Sequence, residues 1–257
     1  MNSFYKTAIV VLKNLKLKNI VEKIKKFFEI KDIVLLNQIT KKKADIYISL
    51  GGDGTFLWAV FLAKDKPVIG FNFGNLGFLA NFEYNQLESV LLKIKNGELK
   101  PQKRNRIRLL NYDALNDIAF ISKNNKLINF DLKINNFKNI KFKGSGIIFA
   151  TATGSTADNL YAGGPIVVPS LEAIVINPII PYSLFIKPIV VDINSKITLK
   201  LDVNRLNYFV SIDGKIIKNL NKKIKNKISI KKGKDAFIFS NKDVFYNIYN
   251  KLSKIIF

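Results

Sequence analysis

Residues 51–55 read Gly-Gly-Asp-Gly-Thr and stand directly after an apolar run at 45–50. Glycines at the end of a strand let backbone amides approach phosphate oxygens with no Cβ in the way. The edge where a strand gives way to a helix is also where open α/β sheets take ligands. A carboxylate beside a polyphosphate is unfavourable unless a metal or a proton transfer employs it. Asp53 is therefore a candidate general base toward an attacking hydroxyl, or a ligand for Mg²⁺. The competing reading is a plain Asp-Gly turn. No Gly-Lys-Ser/Thr follows, so this is not a Walker A loop.

Two other stretches carry similar residue types. "FNFGNLGFLA" at 71–80 spaces Gly74 and Gly77 three apart and reads as a second loop at the same sheet edge, or simply as a turn. "TATGSTADNLYAGGP" at 151–165 offers hydroxyls and amides around Gly154 that suit ribose or phosphate; its plainer reading is a helix N-cap followed by a glycine turn.

Composition narrows the chemistry. The chain has 257 residues and contains neither His nor Cys, which excludes imidazole and thiolate metal sites, Cys nucleophiles and a Ser-His-Asp triad. A general base must then be a carboxylate, Lys or Tyr. Hydrophobic residues make up 48% of the chain, the mark of a globular protein. No apolar run is long enough to span a bilayer, and the first residues are recharged too soon for a secretion signal, so a cytoplasmic protein is expected, with no membrane partner. The net charge of +23 favours anionic partners. Lys far outnumbers Arg and is spread along the whole chain, as drift toward AT-rich codons would leave it, so no specific nucleic-acid surface is expected.

Strands are expected at 7–12, 32–36, 45–50 and 66–71. Helices are expected at 15–29, 55–63 and 85–95, the last opening on an Asn-x-x-Glu capping box. Strands alternating with helices make residues 1–97 a Rossmann-like α/β domain with a parallel sheet. From 98 to 240 the chain turns to short strands such as "KITLKLDV", where Ile197, Leu199, Leu201 and Val203 alternate inward. A mainly β, sandwich-like domain is expected there. Residues 241–257 return to helical period and are expected to pack back on the first domain.

The order of "GGDGT", "GNLGFLA", "LNDIAF" at 115–120, "TGSTA" with "AGGPIVVP", and "VSIDGK" at 210–215 resembles that of the NAD kinases, over about residues 40–220. The resemblance implies phosphorylation of the 2′-hydroxyl of the adenosine ribose of NAD, giving NADP. ATP or polyphosphate would be the phosphoryl donor, with Mg²⁺ as cofactor. It implies Asp53 as the base, with Gly51, Gly52, Gly54 and Thr55 around it. Phe78 would line the pocket, and Asn116 with Asp117 would contact adenine and ribose. Thr153, Thr156, Ala157, Asp158 and Tyr161 would lie along the dinucleotide, with Lys126, Lys143 and Ser145 toward its other end. No protein-built metal site is implied.

The chain departs from the family pattern at four places. Asp117 stands where the family has Glu, Ser145 where it has Asp, Asp158 where it has Tyr, and Ala152 where it has Pro. A homodimer or homotetramer is expected, with a neighbouring copy helping to complete the dinucleotide site. Two alternatives stand beside this reading: a lipid kinase of the diacylglycerol or sphingoid type, which shares the Gly-Gly-Asp-Gly loop, and a basic RNA- or polyphosphate-binding protein.

Overall fold

The structure is a computed structural model that describes residues 5–73, 77–123, 126–202, 208–224 and 227–240. The chain divides into two compact units, Arg104–Asp235 and the remainder, Met1–Lys103 with Ala236–Phe257. The expected boundaries at 97/98 and 240/241 therefore move. Gln102–Arg104 and Ala236–Ile238 both belong to the first unit's sheet, where Ala236–Ile238 pairs in parallel with Pro67–Asn72. The helix expected at 241–257 lies outside the described residues.

The first unit is an α/β layer. Its seven-stranded sheet runs Glu29–Leu35, Thr7–Leu12, Ile46–Leu50, Pro67–Asn72, Ala236–Ile238, Gln102–Arg104, with Phe82–Glu83 also paired to Pro67–Asn72. The central strands Thr7–Leu12, Ile46–Leu50 and Pro67–Asn72 pair in parallel and are almost wholly buried, which is why they read as continuous apolar runs and not as alternations. Helix Leu87–Lys95 lays Leu87, Val90, Leu91 and Ile94 on this sheet, as the spacing predicts. The capping box is formed by Glu83 and Gln86 at the 3₁₀ turn Tyr84–Gln86 that leads into this helix, two residues earlier than the expected Asn85 and Glu88.

The helix expected at 15–29 is much shorter. A 3₁₀ turn, Leu15–Ile20, leads into an α-helix of only five residues, Val21–Lys25. Pairing with the neighbouring strand stops it, because the Glu29 amide donates to the Lys6 carbonyl at 3.0 Å and strand Glu29–Leu35 begins there. Val21, Ile24 and Phe28 still reach the core.

The second unit is mainly antiparallel β. Its eleven strands form one hydrogen-bonded network in which Ile140–Thr151, twelve residues long, is the hub. Residues 140–144 of that strand pair with Ile128–Ile134, and 146–150 pair with Asp117–Ser122. The handover falls at Gly144 and Gly146, where a Cβ would press on the Ile179 and Phe120 carbonyls. Alternation sets the two faces of these strands. Ile118, Phe120, Ile147, Phe149, Ile174 and Ile176 enter the large core with Ile197, Leu199 and Leu201. Ala119, Ile148, Ala150, Ala173 and Val175 build a smaller cluster on the other face. Val203 lies outside the described residues.

Candidate functional site

In the first unit, strand Ile46–Leu50 ends at Gly51-Gly52 and helix Asp53–Ala63 begins at once. Asp53 is the first helical residue, where a negative charge suits the N-terminal pole of the helix. Its carboxylate does not close a local turn. It accepts the Phe78 amide on Oδ2 at 2.9 Å, and the Leu79 and Ala80 amides on Oδ1 at 3.1 and 3.0 Å. A carboxylate offers about four lone-pair sites, so one is left for a further partner. Gly77 lacks a side chain for a reason found here: a Cβ would collide with Asp53 Oδ1. The second glycine loop is thus the seat of Asp53.

Gly52 and Gly54 differ from Gly77, since a Cβ on either would meet nothing within 4 Å. Packing does not require glycine there, and its effect is to leave the loop backbone open to a ligand. Thr55 is buried beneath Gly51 and supports the loop.

In the second unit the Asn116-Asp117 pair is buried, and Asn116 Oδ1 and Asp117 Oδ1 have no hydrogen-bond partner. The "TGSTA" turn, a 3₁₀ segment at Thr153–Thr156, packs directly on them. Gly154 lies so close to the Asn116 backbone that any Cβ would overlap it. Thr151 joins the two by donating its hydroxyl to the Leu115 carbonyl at 2.6 Å and accepting the Gly154 amide at 3.0 Å. Helix Asp158–Tyr161 follows. Behind it Asn159 Nδ2 donates to the Ser155 and Pro165 carbonyls, and Asn177 Nδ2 donates to Asn159 and Ala162.

Asp213 stands within "VSIDGK", and its role is visible only in the fold. Its carboxylate accepts the amides of Leu115, Asn116 and Asp117 at 3.1, 2.7 and 3.3 Å and so fixes the buried pair. Burial pushes the Asp213 carboxyl up to about 6, although those three amides and Arg106 pull the other way. Burial also raises Asp117 well above the usual carboxylate range, with Asp213 and Asp158 adding like-charge repulsion. Asn116, Asp117, Thr153, Thr156, Ala157 and Asp158 therefore form one cluster, supported by Asp213.

Lys143 and Ser145 do not join that cluster within the chain. Asp117 pairs with Ala150, and Lys143 lies seven residues back along the same strand, roughly 23 Å away. Lys143 instead lines a cavity with Lys141, Lys200 and the stacked rings of Phe130 and Phe142. Lys126 is exposed, and Tyr161 is 89% exposed.

An acid seated beside an open glycine loop at the carboxyl edge of a parallel sheet, and buried unpartnered acceptors in the second unit, each suit a phosphotransferase acting on an alcohol. Residues 9–99 match the family model of the ATP-NAD kinase N-terminal domain, and residues 115–241 match that of the ATP-NAD kinase C-terminal domain. The chain belongs to the NAD kinase family.

An NAD kinase of Clostridium perfringens is 34% identical over 92% of each chain. A bifunctional NADP phosphatase/NAD kinase of Methanocaldococcus jannaschii is 33% identical over 97% of this chain and 44% of its own length. Among solved structures, an NAD kinase from Archaeoglobus fulgidus in complex with ATP superposes with a TM-score of 0.82 at 30% identity, covering 96% of this chain and 98% of that one. A yeast NADH kinase complexed with NADH shares the fold, with a TM-score of 0.82 at 23% identity over 97% and 88% of the two chains. Neither the lipid-kinase reading nor the RNA-binding one finds support in these likenesses.

Proposed function

We propose that this enzyme phosphorylates the 2′-hydroxyl of the adenosine ribose of NAD to give NADP, with ATP as donor or polyphosphate in its place. One observation carries the choice of acceptor. The buried Asn116 and Asp117 present unpartnered oxygens, which call for a ligand rich in hydrogen-bond donors. An adenosine supplies them through its amino group and ribose hydroxyls. Thr153, Thr156, Ala157 and Asp158 line the path of the dinucleotide. Asp53 takes the proton of the attacking hydroxyl through its remaining lone pair, and the open backbone at Gly52–Gly54 receives donor phosphates.

Mg²⁺ fits this donor set as an ion that arrives with the phosphates. It ordinarily needs only one or two carboxylates besides phosphate oxygens and water, and Asp53 is the acid of this loop. Among the described residues no cluster of three acidic side chains would hold a metal alone. When bound, Mg²⁺ would neutralise the charge on the donor phosphates. The family resemblance also supports a cytoplasmic homodimer or homotetramer, in which Lys143 and Ser145 act toward a neighbouring copy's dinucleotide.

The test is NADP formation from NAD or NADH, with ATP or polyphosphate, in the presence and absence of Mg²⁺. Asp53→Asn should fold, bind NAD and lose roughly 10²–10⁴ in kcat. Turnover near wild type would reduce Asp53 to a helix-start residue.

A further inference from the structure

Strand Thr7–Leu12 runs beside strand Ile46–Leu50, and the first residue past its end is Lys13. The Lys13 amide donates to the Leu50 carbonyl at 3.0 Å, which fixes this residue alongside the glycine loop. A Cβ placed on Gly51 would come within 3.0 Å of the Lys13 Cβ, and closer still to Thr55 Oγ1. The Lys13 side chain therefore leaves the backbone at the flank of the loop. It is exposed, and among the described residues it has no acidic partner at ion-pair distance.

Sheet order gives this flank its meaning. The strands run Thr7–Leu12, Ile46–Leu50, Pro67–Asn72, so the loop after Ile46–Leu50 has one neighbour on each side. On the Pro67–Asn72 side stand the amides of 78–80 that hold Asp53, with Ala80 packed against Gly70 of that strand. Lys13 stands on the other side. Two strand spacings, roughly 10 Å, separate these neighbours, and the open backbone of Gly52 and Gly54 lies between them. In a phosphoryl transfer the attacking and leaving oxygens lie roughly in line on opposite sides of phosphorus. An attacking hydroxyl at Asp53 thus directs the leaving oxygen toward Lys13. A cation is needed there, because the transfer leaves negative charge on that oxygen. Residues 51–55 and 71–84 contain neither Lys nor Arg, so the two loops of the first unit do not supply it.

We propose that Lys13 is a further catalytic residue, its ammonium group meeting the charge that builds on the leaving phosphate; this rests on the phosphoryl transfer set out under the proposed function. The ribose oxygen bonds to phosphorus while the bond from phosphorus to the rest of the donor breaks. Asp53 takes the hydroxyl proton, and Lys13 contributes charge and no proton. A flexible four-carbon stem suits a charge that has to follow a departing group. The role involves no nucleoside, so it serves ATP and polyphosphate alike.

Lys13→Met keeps the apolar stem and removes the charge. Its kcat at saturating NAD should fall about 10²-fold with either donor, and the KM for the donor should rise, while the KM for NAD and the circular dichroism melt stay as in the wild type. Lys13→Arg restores a cation and should return kcat to within about tenfold of wild type. Lys16→Met is the control for lost positive charge in general: Lys16 is also exposed, in the next turn of chain, and its replacement should leave kcat unchanged. A wild type that forms no NADP would defeat the proposed function itself. NADP formation by the wild type, with kcat and donor KM unchanged in Lys13→Met, would overturn this inference alone. An equal loss in Lys16→Met, or a loss that Lys13→Arg does not restore, would overturn it as well.

Discussion

Three amides from the segment 78–80 hold the Asp53 carboxylate before any substrate arrives. Orientation of this kind lets one side chain work as a base without a partner imidazole, in a chain that has no His. Gly77→Ala tests it. Gly77 does not have a left-handed φ, so the backbone accepts alanine, yet the new methyl group would occupy the place of Asp53 Oδ1. The expected result is a folded enzyme with kcat lowered about 10²-fold and a KM for NAD changed far less. An unchanged kcat would mean that the seat is irrelevant to the chemistry.

Asp213 works on the other substrate-binding element and leaves a pH signature. Its folded-state pKa of about 6 stands above the ordinary 3.8. Between those values the folded state binds more protons than the unfolded one, so this group's contribution to stability is full at acid pH and is lost as pH rises toward 6 and beyond. Asp213→Asn removes the titration but keeps an oxygen for the Asn116 and Asp117 amides. Urea midpoints from pH 4 to 7 should therefore fall more steeply in the wild type than in the variant. The loss of the Leu115 contact should raise the KM for NAD several-fold. Parallel pH profiles would reject the assignment.

Among the elements, those that bury one defined pattern were legible in the sequence. The parallel strands announced themselves as apolar runs, and Leu87–Lys95 by its four-residue spacing. The 15–29 segment did not, because its helical spacing competes with strand pairing that starts at Glu29, and pairing depends on Lys6, far back in the chain. The site divides in the same way. Asp53 and the Asn116-Asp117 pair stand in motifs, whereas the roles of Gly77 and Asp213 exist only through contacts 24 and about 97 residues away. The "TGSTA" turn is likewise a tertiary object. It is held from behind by Asn177, 1% exposed, which donates to Asn159 and Ala162. Asn177→Ala would strand buried acceptors and should lower stability by about 1–3 kcal/mol in urea unfolding. Because the turn carries Thr153 and Thr156, KM for NAD should rise more than kcat falls; stability lost with an unchanged KM would separate the turn from binding.

For the molecule as a whole, the second unit exposes an apolar stretch that a lone globular chain rarely carries. Ile180, Tyr182, Leu184 and Phe185 are 73, 80, 84 and 93% exposed, around the end of strand Ala173–Pro181. The Tyr182 amide donates to the Lys143 carbonyl at 2.8 Å, so this stretch is tied to the strand end that holds Lys143 and Ser145. Those are the residues left far from Asp117 within one chain. Contiguous exposed apolar side chains are the usual mark of a protein interface, and the proposed association with a second copy would cover them. It would also bring Lys143 and Ser145 to a dinucleotide bound elsewhere. Replacing Leu184→Asp and Phe185→Asp together places charges in that surface while leaving both cores untouched. Light scattering should show the mass falling to that of a single chain. NADP formation should then depend on protein concentration or be lost, since the far end of the dinucleotide would lack its partner residues. A variant that keeps both its mass and its KM for NAD would place the interface elsewhere on the molecule.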